Sequence, residues 1–129
     1  MVEDDFESEF KDLIQYVAMT LIQMSIEPIE LSSNNKYDFA ILSGLYKKQL
    51  LEARSLMLNK NHDYGEVWRD MWISSYTDLI ITKLLRIRQI VEIDGKTQFS
   101  EGIASNLLDI INYSVFALIK FDEKNETAN

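Results

Sequence analysis

The chain has 129 residues, of which 47% are hydrophobic and 26% charged, with one histidine, no cysteine and a formal net charge of −8. That length suits one domain burying a single core without disulfides or a structural metal, and the lack of cysteine excludes disulfides, thiolate catalysis and cysteine-ligated zinc. The acid excess argues against a nucleic-acid duplex as partner, because that affinity comes from Lys and Arg neutralising phosphates.

Residues 1–6 are acidic and lack the basic-then-apolar order of a secretory leader, and no apolar run is read as reaching the ~20 residues of a membrane span. The expectation is a soluble cytoplasmic protein with no membrane partner. Over residues 4–24, Phe6, Phe10, Leu13, Ile14, Val17, Leu21 and Met24 recur at steps of three and four, which predicts a helix with one buried stripe and acids complementing its N-terminal dipole. Glu27-Pro28 should interrupt it, since proline donates no backbone bond and biases its predecessor away from helix. Side-chain oxygens at Ser32-Ser33-Asn34-Asn35 then offer N-caps for a second, longest helix over residues 37–59.

Where that pattern stops comes Lys60-Asn61-His62-Asp63-Tyr64-Gly65, followed by Trp68. Gly65 reads as a helix C-terminal break, because glycine enters positive φ without a Cβ clash. Asn61, His62, Asp63 and Tyr64 either converge on a ligand or simply tie off the last helical carbonyls. A third helix is expected over residues 75–92; it is apolar nearly all round, so it reads as the central one. Asp94-Gly95 marks a turn, Ser100 is an N-cap candidate, and a last helix over residues 101–121 precedes a polar tail expected to fray. The fold class is all-α, with a four-helix core in one domain.

The last two helices hold the charged and polar side chains of interest. Lys83 and Arg86 are three residues apart, hence about 60° apart on an otherwise apolar helix. Desolvated cations need anions, either carboxylates of the protein or phosphates of a ligand. On the last helix Glu101, Ser105, Asp109 and Asn112 fall within about 80° of one another, with Asn106 and Tyr113 beside them and no cation before Lys120. Two carboxylates with amide oxygens suit Mg²⁺ or Mn²⁺. For Glu101 the helix dipole is an alternative explanation. For Asp109 in mid-helix a structural explanation is weaker, aspartate being a poor interior helix former that gains nothing from the dipole there.

Lys60 to Gly65 with Trp68, then Lys83 and Arg86, then Glu101 with Asp109, Asn112 and Tyr113, resembles the nucleotide modification associated domain family of the first type, over residues 60–119. A more distant similarity is to the all-alpha, MazG-like nucleotide pyrophosphohydrolases, four-helix proteins whose acidic helices hold Mg²⁺. Asp109 in Leu-Leu-Asp-Ile-Ile-Asn-Tyr looks like the aspartate of their Glu-x-x-Asp helix, although position 106 is Asn and the paired glutamates of the preceding helix are missing. The resemblance implies a small-molecule nucleotide as ligand and a Mg²⁺-dependent pyrophosphohydrolase, with a non-catalytic nucleotide-binding module or a helical protein-interaction domain as alternatives. In that reading Glu101 and Asp109 hold metal and Lys83 and Arg86 stabilise phosphate charge. His62 or Asp63 assists the reacting water, while Asn61, Tyr64 and Asn112 orient base or sugar. More apolar surface than one four-helix core needs suggests a homodimer.

Overall fold

The computed structural model describes the backbone of residues 2–25, 39–64, 67–94 and 101–128, and the side chains of residues 6–25, 39–60, 68–93 and 102–124. Four α-helices and one 3₁₀ turn make up these residues, and no strand occurs among them. Helix α1, Val2–Ser25, forms where apolar residues recur at helical spacing and buries Phe10, Ile14, Val17, Ala18, Leu21 and Ile22. It ends at Ser25, whose hydroxyl donates to the Ile22 carbonyl, just ahead of the expected interruption at Glu27-Pro28. That interruption and the caps at residues 32–35 lie outside the described residues.

Helix α2, Phe39–Tyr64, runs five residues past its expected end at residue 59. Lys60 to Tyr64 is therefore its last turn and not a connection beyond it. The physical reason is that none of these residues breaks a helix; the first that does is Gly65, which lies outside the described residues together with the expected turn at Gly95 and the Ser100 cap. The turn Val67–Asp70 leads into α3, Ile73–Asp94. Helix α4, Glu101–Ala128, continues through the stretch expected to fray from residue 122. Its last part is tied to the 3₁₀ turn, for Glu123 pairs with Arg69 at 3.2 Å and Lys120 donates to the Arg69 carbonyl.

The central helix is α4, which packs on α1, α2, α3 and the 3₁₀ turn, whereas α3 packs appreciably only on α4. The expectation that the third helix is central is thereby corrected. Helix α3 buries one side, with Tyr76 and Ile80 enclosed and Ile87 and Ile90 half-buried, and leaves Ile81, Leu84 and Leu85 exposed. Hydropathy misranks the two helices because α4 buries polar residues as well as apolar ones. Asn106 donates to the Gly102 carbonyl, Ser114 to that of Ile110, and Asn112 across to that of Ala53 on α2 at 2.8 Å. A polar group so bonded can be buried at little cost, and one left unpaired cannot.

The span Gly102–Lys124 of α4 is long and apolar enough to cross a membrane by length and composition, so the expectation that no such run exists is also corrected. More than half of that span is buried against the other helices, which accounts for its apolarity as core. Pairings run in opposite senses along α4: residues 53 and 60 meet 112 and 109, while 76 and 83 meet 113 and 109. Helices α2 and α3 therefore run antiparallel to α4.

Beneath the 3₁₀ turn, Trp68 stacks on Phe116 with ring centroids 4.5 Å apart, and the Arg69 guanidinium covers Trp68 at 4.6 Å. Tyr76 is fully enclosed, and its hydroxyl donates to the Trp68 carbonyl. Burial, with the negative charge of Glu123 as a smaller cause, pushes the Tyr76 phenol up from 10.0 to about 12. Because the folded value is raised, the resulting stabilisation is complete below pH 10 and disappears as pH rises through 12. Urea unfolding of Tyr76→Phe should show about 1–2 kcal/mol of lost stability at neutral pH. Between pH 10 and 12 the wild type should lose stability more steeply than the variant, closing the gap.

Candidate functional site

The described residues bring one charged cluster together at the heart of the fold. Asp109 sits in mid-α4 with 4% of its surface exposed. Lys60, in the last turns of α2, places Nζ 2.7 Å from Oδ1, and Lys83, near the middle of α3, places Nζ 3.0 Å from Oδ2. Both carboxylate oxygens are thus engaged, each by a different helix. Since α2 and α3 pack on α4 but not appreciably on each other, the two lysines approach Asp109 from opposite banks. A buried carboxylate requires such partners, and two ammonium groups on one carboxylate leave one net positive charge. The side chains of Lys83 and Lys60 are 18% and 45% exposed, so the surplus charge faces solvent mainly through Lys60.

The other expected site residues stand in different relations to this cluster. Asn112, one turn along α4 from Asp109, is buried and spends its amide on the Ala53 carbonyl, which fixes α2 against α4. Arg86, about 60° round α3 from Lys83, is exposed and forms no ion pair with a described residue. Asp78, on the same helix, is exposed too. The backbone of Asn61, His62, Asp63 and Tyr64 forms the end of α2 immediately after Lys60, and Glu101 opens α4, but their side chains lie outside the described residues. The convergence of Lys83, Arg86, Glu101, Asp109 and Asn112 on one pocket reduces, among described residues, to the contact of Lys83 with Asp109.

Sequence reasoning passes over Lys60, since a lysine near a helix C-terminus is usually a solvated complement to the dipole. A signal was nevertheless there. A buried carboxylate with two oxygens has room for two cations, and Lys60 opens the motif stretch Lys60 to Gly65.

The donor set also bears on the expected metal. Mg²⁺ takes hard oxygen ligands in near-octahedral geometry at roughly 2.0–2.1 Å. Asp109 has both oxygens committed to ammonium groups, which would repel a dication. No group of three His, Cys, Asp or Glu side chains able to hold a metal occurs among the described residues. The described residues therefore do not compose a magnesium site, and Asp109 is the anionic anchor of two lysines.

Among known families, residues 60–121 match nucleotide modification associated domain 1. The matched segment begins at Lys60 itself and takes in Lys83 and Asp109, so all three members of the cluster fall inside it, while α1 and most of α2 lie outside. No curated protein and no solved structure matches the chain. The likeness to MazG-like pyrophosphohydrolases is not among what these comparisons find.

Replacing Asp109 by Asn keeps the shape and removes the charge, stranding the less exposed Lys83. Chemical denaturation should show a loss of about 2–4 kcal/mol, and Lys83→Met in the same background should recover part of it by removing the orphaned cation. Equal stability of Asp109→Asn and wild type would mean that the ion pairs contribute nothing to the fold.

Proposed function

We propose that this chain binds a nucleotide through the phosphates, at the cations gathered around Asp109. The supporting observation is the pair of lysines held on one buried carboxylate inside the domain matched to nucleotide modification. Each ammonium carries three donors and commits one of them to Asp109, leaving others for phosphate oxygens. The carboxylate holds the amines in place before ligand arrives, which lowers the ordering cost on binding. Arg86, exposed and close in angle to Lys83 on α3, adds a cation at the outer edge of the same side. In a chain of net charge −8, a locally positive spot attracts an anion that the rest of the surface repels, which favours a small phosphate-bearing ligand over a polyanionic duplex.

The arrangement favours binding over metal-assisted hydrolysis, because the carboxylate that a metal would need is already occupied by lysines. The finer reading, a Mg²⁺-dependent pyrophosphohydrolase, requires further carboxylates brought to this place, with Glu101 and Asp63 as the candidates. His62, Asn61 and Tyr64 follow Lys60 closely enough in sequence to contact the base or sugar of a nucleotide bound there.

A ligand that binds only the folded state raises its apparent stability, by about 2.7 kcal/mol at a hundredfold excess over Kd. Thermal melting with nucleoside mono-, di- and triphosphates, each with and without Mg²⁺, should give a clear upward shift with at least one. Lys60→Met should melt within about 1 kcal/mol of wild type, because Lys60 is half exposed, and yet lose most of the nucleotide-dependent shift. Release of phosphate or pyrophosphate from the same samples reads hydrolysis directly. An unchanged shift in Lys60→Met, or no shift with any nucleotide, would remove this assignment.

A further inference from the structure

We infer that the flank of α3 facing α1, together with the groove beside it, is a two-fold interface with a second copy of this chain. The proposal is independent of the nucleotide site, which lies on the opposite flank of α3. Helices α1 and α3 both pack on α4 but not appreciably on each other. The gap between them is a groove of about 560 Å³, with Phe10, Leu13 and Ile80 inside and Phe6, Tyr16 and Ile81 among its exposed lining. Along α3 the groove continues as a ridge. At about 100° per residue, Ile81, Leu84, Arg88 and Val91 lie within about 80° of one another on the α1 side, with Leu85 just beyond Ile81. Leu84, Leu85 and Val91 are 45%, 55% and 49% exposed. Large apolar side chains at this spacing, next to an apolar groove, form a contiguous patch of the kind that marks an interaction site.

Charge identifies the occupant. The α1 bank of the groove is acidic, through Glu9 and Asp12, both exposed. The ridge carries one cation, Arg88, whose partner is Glu92 in an i,i+4 pair at 3.0 Å with both side chains largely exposed. Such a pair contributes only about 0.3–0.5 kcal/mol, so it is readily exchanged. One copy therefore presents an apolar groove with an acidic bank and an apolar ridge with a basic residue. An isologous contact, in which each patch meets its own image, lets the ridge of each copy enter the groove of the other and brings each Arg88 towards the opposing Glu9 and Asp12. A purely apolar ligand would leave both charge features unused, and a basic helix from another protein would leave Arg88 facing a like charge.

Sedimentation velocity from low-micromolar to several hundred micromolar protein tests the proposal. The wild type should move from monomer to dimer as concentration rises. Leu85→Glu should remain monomeric across the range with unchanged helical circular dichroism, because the position is exposed. Arg88→Glu should weaken dimerisation about tenfold or more, and combining it with Glu9→Arg and Asp12→Arg should restore it. A wild type monomeric throughout overturns the proposal, and so does a dimer that survives Leu85→Glu. A dimer indifferent to the charge reversal at Arg88 overturns the assigned geometry.

Discussion

Everything in this fold depends on α4 being surrounded. A helix that touches three others buries much of its surface, so each polar side chain on the buried part must find a partner inside the protein. The partners are of two kinds. Asn106 and Ser114 turn back to carbonyls of their own helix, which settles them locally. Asp109 and Asn112 reach outwards, to Lys60 and Lys83 and to the Ala53 carbonyl, and so dictate which parts of α2 and α3 lie beside them. Apolar contacts alone would tolerate a slide of one helix along another, whereas these directional contacts penalise it, since a one-turn slip would separate buried groups from their partners.

The same requirement explains why the charged cluster serves two ends. As a structural device it joins two helices that do not otherwise pack together, and burial makes the loss of the Asp109 charge costly, because Lys83 would be left without its anion. As a chemical device it is an amine pair fixed in space by a carboxylate. The first role needs only neutralisation, for which one lysine would suffice. The second lysine supplies the surplus charge on which the proposed phosphate binding rests.

Much of the architecture was legible in the residues. Steps of three and four placed all four helices, although the second runs on to Tyr64, past its expected end at residue 59. What periodicity does not carry is how much of a helix circumference is covered. Ile81, Leu84 and Leu85 give α3 the composition of a core helix while standing exposed, and the amides of α4 give it the composition of a half-solvated helix while standing buried. Burial depends on partners distant in sequence: nothing near Asn112 announces the Ala53 carbonyl. The site was legible in part for the same reason. Asp109 stood out because an aspartate in mid-helix needs a cause, and Lys83 because a cation among aliphatics needs an anion, but Lys60 looked like any helix-terminal lysine until α2 was placed against α4.

The central position of α4 also sets the order in which this fold can come into being on the ribosome. Helices α1, α2 and α3 leave the exit tunnel before the helix they pack on, and α3 has almost no other surface to rest against. Growing chains therefore carry exposed aliphatic stripes until α4 emerges, and most helical stability in proteins comes from packing of such a face. Assembly is deferred to the end of synthesis of this segment and should then be concerted, because a single element completes every helix interface but that of α1 with α2.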